Sequence, residues 1–324
     1  KLGRCKLGEL RGLHITRAYG EIVAERQAEI EAAEAKNAKY EAEAETLNAK
    51  RGAAGKVRPV AAKRCAVPRP ISPASVARIH AVLSGALKSA VKAGMVSRNV
   101  AADAELPKAE RRKVRPPTPE AYGEFLDAIV GDRLYPLVVL AGNSGLRRGE
   151  LAGLRWSDID LSAKARLVVA RQRVSVGYQV SERTAKTEAG QDRVVYLDVG
   201  TVDALRAWRK QQMTERLAWG PAYAIGEYVF TREDGQPYHP DYLTKSFSRL
   251  ARRVGFGATK LHTLRHYRAG ALISTGADIA AVSKSMGHSS IMVTSDIYGS
   301  LFEKAGHEMS EAAAALVPRR RHTA

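Results

Sequence analysis

A short basic segment that ends in two prolines divides this chain and restricts the folds that it can adopt. Lys and Arg residues cluster immediately before Pro116 and Pro117. A proline pair cannot continue a helix, and a basic segment bounded by prolines has the composition of an interdomain linker. The sequence therefore predicts an N-terminal domain over residues 1–110, a linker over 111–117 and a second domain from residue 118. A chain of 324 residues is long enough for both.

The N-terminal domain is predicted to be helical, with a charged insertion at about residues 24–70. Apolar residues recur at helical spacing between Ser72 and Gly94, and Gly94 is well placed to end this helix. The stretch 24–50 is rich in Ala, Glu and Lys without heptad spacing, which favours a solvated helical protrusion over an oligomerisation element. The basic stretch 51–73 contains prolines and glycines and is predicted to be irregular, either a phosphate contact or a flexible loop.

The sequence after the linker predicts a mainly α domain with a small antiparallel β-sheet, an α+β arrangement. β-branched residues with partial alternation indicate strands, which we place at residues 165–176, 178–183 and 193–197. Apolar periodicity and end signals indicate helices before and after the strands, at about residues 118–130, 134–142, 200–217 and 242–254.

The charge balance points to a polyanionic partner. Lys plus Arg exceeds Asp plus Glu by 52 − 34 = 18, and such an excess destabilises a compact chain through self-repulsion unless a polyanion offsets it. Nucleic acid is therefore favoured over a membrane surface, and a merely basic soluble protein is the plain alternative. Two cysteines without metal-ligand spacing predict no zinc site and no disulfide framework, and they fit a reducing cytoplasm. No apolar run approaches the roughly 20 residues of a membrane span.

The stretch from His262 to Tyr298 carries the most chemically informative residues. His262 and Arg265 are three residues apart and share one face of a helix, and His288 follows a glycine. Each residue alone has an ordinary structural interpretation, as an ion pair, a helix cap or a partly buried aromatic. Their order is more informative, because three groups that can contact or protonate a phosphate precede a phenol that could attack it. The pattern favours covalent chemistry on a nucleic-acid backbone.

Residues further upstream fit the same chemistry. Arg147 lies in a polar turn before an apolar helix, where it either pairs with Glu150 or holds two phosphate oxygens with its planar fork. Lys186 lies in a polar connection between two predicted strands, where a solvated lysine is the ordinary interpretation. The basic linker residues are further candidates for contact with a DNA backbone, namely Arg111, Arg112, Lys113 and Arg115.

Four sequence boxes resemble those of the tyrosine recombinases, the phage-integrase family. They are GLRRGEL from Gly145 to Leu151, HTLRH from His262 to His266, GHSS from Gly287 to Ser290, and the final Tyr298. The boxes occur in the family's order across residues 118–298, and together they are far more specific than any one of them. The resemblance implies a site-specific DNA recombinase, most simply the integrase of a phage or integrative element, with no cofactor and no metal.

The resemblance also implies a role for each matching residue. Tyr298 would be the nucleophile, which attacks a phosphodiester to form a 3′-phosphotyrosyl bond and releases a 5′-hydroxyl. Arg147 and Arg265 would hold the nonbridging phosphate oxygens. His262 and His288 would make further phosphate contacts, and the first of these is associated with proton transfer.

The same resemblance gives Lys186 a catalytic role and Glu150 a supporting one. Lys186 matches the lysine of a β-turn that protonates the leaving 5′ oxygen. Glu150 matches an acidic residue that supports the site and does not itself react.

At the level of domains, the resemblance implies an organisation and a set of partners. Residues 1–110 would be a core-binding domain, 118–300 the catalytic domain, and 301–324 a C-terminal helix and basic tail that packs on a neighbouring protomer or stays frayed. The two domains would form a C-shaped clamp on double-stranded DNA attachment sites. Four protomers would exchange strands through a Holliday junction, with room for an accessory DNA-bending protein. Residue 1 is Lys rather than Met, so a preceding arm-binding domain would not be visible in this sequence.

Rival functions stay open on the sequence alone. A chromosome-resolving recombinase and a topoisomerase of the type IB kind share the phosphotyrosyl chemistry, and the long charged insertion argues against the compact form usual for the first. A non-catalytic DNA-binding regulator that kept the fold is a rival of another class. The full set of reactive residues argues against that regulator.

Overall fold

The structure is a computed structural model that describes residues 1–3, 5–54, 58–108, 116–177, 179–184, 193–257 and 259–287. Contacts between Cα atoms divide the chain into two compact units, Lys1–Arg112 and Lys113–Ala324. The linker residues predicted to contact DNA, which are Arg111, Arg112, Lys113 and Arg115, lie outside the described residues.

In its described residues, the first unit contains two α-helices. A 3-10 turn at Leu7–Glu9 precedes α1 (Gly12–Ala53), and α2 (Pro73–Lys92) precedes a second 3-10 turn at Val100–Asp103. The Ser72 hydroxyl accepts the Ser75 backbone N–H at 3.2 Å, and Pro73 needs no hydrogen-bond acceptor in the first turn. These two residues explain why α2 begins where it does. The hydrophobic core of the first unit consists of Leu10, Ile15, Tyr19, Val76, Leu87, Val100 and Ala101.

The charged stretch that begins near residue 24 is not a separate element. Helix α1 runs through that position without a break, because no proline interrupts it and Ala, Glu and Lys favour the helix throughout. Its buried residues are Gly12, Ile15, Ala18, Tyr19 and Ile30, so its C-terminal half projects without a core of its own. The predicted solvated helix is therefore the continuation of a helix that is anchored at its N-terminal end.

The second unit is mainly helical, as predicted. Its helices are α3 (Pro119–Ala128), α4 (Tyr135–Ser144), α5 (Arg148–Gly153), α6 (Val199–Trp219), α7 (Pro240–Arg253), α8 (Leu261–Ser274) and α9 (Ile279–Met286). Two 3-10 turns lie at Trp156–Asp158 and Gly220–Ala222. Nearly all residues of helix α4 are buried, and it packs against α6 and α8, so it forms the centre of this unit. Aromatic rings extend the core, with Phe125 stacked on Phe256 at a centroid distance of 4.1 Å.

The predicted antiparallel β-structure is present, and in the described residues it is divided between two small sheets. Strands β1 (Ile159–Asp160), β2 (Arg166–Val169) and β5 (Arg193–Tyr196) form the first sheet in the order β1-β2-β5, whereas β3 (Arg171–Val176) and β4 (Gln179–Thr184) form a separate hairpin. The predicted strand 165–176 breaks at Ala170. Leu167 and Val169 are buried before the break and Gln172 after it, so the inward-facing positions shift by one residue and the chain changes sheets.

Candidate active site

Arg147 and Glu150 lie together at the start of α5. The Glu150 carboxylate accepts the Arg147 backbone N–H at 2.7 Å and the Arg147 Nη1 at 3.0 Å. One carboxylate therefore satisfies a free N–H at the helix start and orients the arginine side chain. The side chain of Arg147 is 38% exposed, whereas that of Glu150 is 3% exposed. The two hydrogen bonds to Glu150 therefore hold Arg147 in place, while its partly exposed guanidinium can contact an external anion.

Arg193, the first residue of β5, is a member of this cluster that the sequence analysis missed. Its Nη1 and Nη2 donate to the two Glu150 carboxylate oxygens at 3.0 and 2.7 Å, and its side chain is 6% exposed. Glu150 is therefore a buried bridge between two guanidinium groups, Arg147 and Arg193. This two-point geometry between a fork and a carboxylate is the strongest form of the ion pair.

The pKa of Glu150 reflects this bridge. Burial alone would raise the pKa, but the hydrogen bonds and positive charge of Arg193, followed by those of Arg147, outweigh burial and lower the pKa to about 2. The carboxylate is consequently ionised at any pH near neutrality. It can hold both arginines but is not suited to transfer a proton.

The low pKa of Glu150 predicts a loss of stability in acid. Because the folded-state pKa lies below the unfolded value of about 4.3, ionised Glu150 stabilises the fold fully above that value, by about 3 kcal/mol, and the contribution falls as the pH drops towards about 2. We expect the difference in unfolding free energy between wild type and Glu150→Gln to shrink by about 2 kcal/mol from pH 5 to pH 3. Urea denaturation of both proteins at pH 5 and at pH 3 measures this change. A difference in unfolding free energy that stays constant between the two pH values would contradict the low pKa of Glu150.

Arg265 is buried and ties two helix ends together. Its side chain lies on α8, donates from Nη1 to the carbonyl of Gly145 at 2.5 Å, and donates from Nη2 to the carbonyl of Met286. Gly145 ends α4 with φ +64°, a left-handed conformation that favours glycine, and a Cβ there would lie 2.7 Å from the flexible end of the Met286 side chain. Arg265 therefore depends on the assembled unit for its position.

The two family-matched arginines converge on one turn. Arg147 Nη2 donates to the carbonyl of Gly287 at 2.6 Å, directly after the Met286 carbonyl that Arg265 contacts. Gly287 ends α9 with φ +63°, and a Cβ there would lie 3.0 Å from the Arg193 guanidinium. Arg147, Arg193 and Arg265 therefore all meet at Met286–Gly287, the turn that leads to His288.

Two histidines of α8 complete the described part of the site. The rings of His262 and His266 lie edge to face, with a centroid distance of 4.9 Å. Although part of its side chain reaches the surface, desolvation lowers the pKa of His262, and the charges of Arg265 and Arg147 lower it further. Burial, and then the charges of His262 and Arg265, lower the pKa of His266 to about 4. Both rings are mainly neutral at pH 7, so His262 can accept a proton there.

The structure thus brings four of the predicted site residues together, namely Arg147, Glu150, His262 and Arg265. Lys186, His288 and Tyr298 lie outside the described residues. Among the residues that the structure describes, no group of three His, Cys, Asp or Glu side chains could hold a metal ion, and no described helix has the length and apolarity to cross a membrane.

A comparison with known families confirms the resemblance drawn from the four boxes. Residues 124–304 match the sequence profile of the phage integrase family, which covers 304 − 124 + 1 = 181 of the 324 residues. This match extends over more than half of the chain and includes every box. The chain belongs to the phage integrase family.

One relative is named as a tyrosine recombinase and another as an integrase. A tyrosine recombinase XerC-like protein of Caldanaerobacter subterraneus subsp. tengcongensis is 31% identical over 196 residues, which are 57% of this chain and 50% of the relative. The ICEBs1 integrase of Bacillus subtilis is 26% identical over 243 residues, which are 74% of this chain and 65% of that protein. The chain therefore spans between half and two thirds of the length of these curated relatives.

Solved structures share the fold. The Tn1549 transposon integrase, in complex with a circular intermediate DNA, aligns with a TM-score of 0.62 at 21% identity over 74% of this chain and 80% of that one. A second structure of that integrase, in complex with transposon right end DNA, aligns with a TM-score of 0.62 at 23% identity over 75% and 80% of the two chains. At this identity the likeness supports the fold, and the chemistry must be argued from the residues.

Proposed function

We propose that this protein is a site-specific DNA recombinase that cleaves and rejoins DNA through a 3′-phosphotyrosyl bond at Tyr298, as the integrase of a phage or integrative element. One observation carries the proposal. Arg147 and Arg265 are fixed on the consecutive carbonyls of Gly287 and Met286, so that the turn before His288 places two cationic forks side by side. Membership of the phage integrase family and the DNA complexes of the Tn1549 integrase support the same proposal.

Two fixed guanidiniums suit the transition state of phosphoryl transfer. A phosphodiester gains negative charge as the nucleophile adds, and preorganised donors stabilise that charge more than they stabilise the ground state. Arg147 is the more accessible of the two, and its orientation comes from Glu150 rather than from the DNA. Preorganisation of this kind contributes about 10²–10³ in rate for each donor, by analogy with oxyanion holes.

The remaining steps are proton transfers. The phenol of Tyr298 has an ordinary pKa of about 10 and must lose its proton as it attacks, and neutral His262 is a suitable acceptor. Lys186 would protonate the leaving 5′ oxygen, and His288 would add a donor to the phosphate. Because the covalent linkage conserves the energy of the broken bond, rejoining by the released 5′-hydroxyl needs no nucleotide.

The proposal extends to the assembly. Residues 1–110 would act as the core-binding domain and 118–300 as the catalytic domain, closing as a clamp on double-stranded attachment sites. Four protomers would exchange strands in pairs through a Holliday junction, with an accessory DNA-bending protein as an optional partner. Such an enzyme would act in the bacterial cytoplasm on nucleoid DNA.

A nicked suicide substrate tests the proposal. The inverted core sequence in the DNA that flanks the gene supplies the duplex, and a nick beside the cleavage site lets the 5′-hydroxyl fragment diffuse away and traps the adduct. We expect wild-type protein to form a denaturant-resistant protein–DNA adduct and Tyr298→Phe to form none, while both bind the duplex with equal affinity.

Other outcomes of the same substrate series distinguish the rivals. If wild type forms no adduct although it binds the site, the protein is a DNA-binding regulator. If it relaxes supercoiled plasmid without a defined sequence, the type IB topoisomerase function replaces the recombinase. Resolution of a plasmid dimer at a single chromosomal site would favour the chromosome-resolving recombinase.

A further inference from the structure

An extended segment of the first unit is fastened along helix α1 through its backbone. We call residues 58–71 the strap. The side-chain amide of Asn48 pairs with both backbone groups of Val60, accepting its N–H at 2.7 Å and donating to its carbonyl at 2.9 Å. Asn37 pairs with Cys65 in the same way, at 2.7 and 3.0 Å. Two asparagines of α1 therefore take the place of a neighbouring β-strand.

The spacing of these two clips explains the register. The asparagines are 48 − 37 = 11 residues apart, which is close to three helical turns, so they lie on one face and about 16 Å apart along the axis. The strap residues are 65 − 60 = 5 positions apart, and an extended chain covers about 16 Å in that interval. Prolines at 59, 68 and 70 exclude a helix from the strap and favour the extended form. Hydrogen bonds to its backbone therefore keep the strap extended, and most of its side chains take no part in holding it.

The charge of the strap and of the sequence on either side of it is one-sided. Between Thr46 and Ala102 eleven residues are Lys or Arg and none is Asp or Glu. The strap side chains Arg58, Lys63 and Arg69 are exposed. Most charged protein surfaces mix the two signs, because like charges on a fixed segment repel one another. A rigid basic segment of this composition therefore indicates an anionic partner.

An aromatic ring lies within the same basic surface. The ammonium groups of Lys36 on α1 and Lys63 on the strap are each 5.9 Å from the centroid of the Tyr40 ring. Beside them, Arg64 is held by Glu41 at 2.7 Å. The Tyr40 ring therefore has a cation from α1 and a cation from the strap within cation–π distance.

We propose that the strap is a preordered phosphate-binding edge that contacts the backbone of duplex DNA irrespective of sequence. The extended form suits a linear array of phosphates, and the backbone clips remove most of the ordering entropy that a flexible basic loop would lose on binding. The inference rests on the proposed function only in taking DNA as the polyanion. The inference also proposes DNA as the partner of the projecting C-terminal half of α1, which has no hydrophobic core of its own.

Salt-dependent binding of the full-length protein to a 40-base-pair duplex of arbitrary sequence tests the inference. We expect Lys63→Gln/Arg69→Gln to bind about tenfold more weakly near 0.1 M salt. We also expect the slope of the logarithm of the binding constant against the logarithm of salt concentration to become shallower by about 2. Each lost phosphate contact reduces the magnitude of this slope by about 0.9. The matched control is Arg17→Gln/Arg26→Gln, which removes two charges from α1 where each arginine pairs with a glutamate. The control is expected to keep the wild-type slope.

A second variant separates the clips from the charge. Asn37→Ala/Asn48→Ala retains every charge and releases the strap, so we expect weaker binding than wild type with helix content unchanged by circular dichroism. If this variant binds as wild type does, the preordered edge is wrong. An unchanged slope for Lys63→Gln/Arg69→Gln overturns the DNA contact. In either case adduct formation by wild type on the suicide substrate still decides the proposed function separately.

Discussion

Replacing Arg147 by Lys is expected to lower the rate of DNA cleavage by about 10²–10³ while the affinity for the duplex changes little. Lysine keeps the positive charge but loses the planar fork, which in the wild type bonds Glu150 and Gly287 at the same time. Since Arg147 is partly exposed, we expect the free energy of unfolding to fall by only about 1 kcal/mol. Single-turnover cleavage of the suicide substrate and urea denaturation measure the two quantities.

The neighbouring arginine provides the matched control. Arg148 is exposed and pairs with Asp241 at 2.6 Å, so Arg148→Lys makes the same chemical change one residue away from the site. It should cleave within about twofold of wild type, because an exposed ion pair contributes at most about 1 kcal/mol. Cleavage by Arg147→Lys at a rate close to that of Arg148→Lys would remove Arg147 from the phosphate site.

Replacing Arg193 by Met is expected to destabilise the fold by about 3–5 kcal/mol. The substitution leaves the Glu150 carboxylate buried with one of its two arginines, and an uncompensated buried charge carries a large desolvation cost. Urea denaturation at pH 7 measures the loss. Arg206→Met is the matched surface control, because Arg206 is exposed and donates to the exposed Asp203 and to the Leu161 carbonyl. Its effect is expected to stay within about 1 kcal/mol.

Arg193 is also expected to act on catalysis through Arg147, as a positioning residue. At a temperature where the variant remains folded, Arg193→Met should cleave more slowly, because Glu150 no longer holds Arg147 in one orientation. In an Arg147→Lys background the same substitution should slow cleavage much less, since the group that it positions is already altered. Equal effects in both backgrounds would restrict Arg193 to a purely structural role.

The sequence predicted the fold most successfully where local signals agree. Ser72 and Gly94 mark the ends of α2, and the apolar run of α4 lies at the centre of its unit. The two-sheet arrangement was not predicted, because the break at Ala170 carries no glycine or proline and shows only as a shift in the buried positions. Pairing of the strap with α1 was also beyond prediction, since neither asparagine belongs to a periodic pattern.

The candidate site, like the fold, could be predicted from the sequence only in part. The motifs located Arg147, Glu150, His262 and Arg265 because each lies in a short box of distinctive composition. Arg193 has no such box, and an arginine at the start of a strand ordinarily indicates a solvated edge. Its partner, Glu150, is 43 positions away, so only the folded structure shows that the arginine is buried. The sequence shows the glutamate of the GLRRGEL box, but it does not show that this side chain is buried and pairs with a second cation.

The most direct measurement is the identity of the residue that carries DNA in the trapped adduct. After nuclease and trypsin digestion, the peptide Ser285–Lys304 contains both His288 and Tyr298, which is its only tyrosine. We predict that fragmentation mass spectrometry will locate a nucleotide on Tyr298 through a 3′-phosphate, and that the released strand will carry a free 5′-hydroxyl. A nucleotide on any other residue, or a 5′-phosphate linkage, would contradict it.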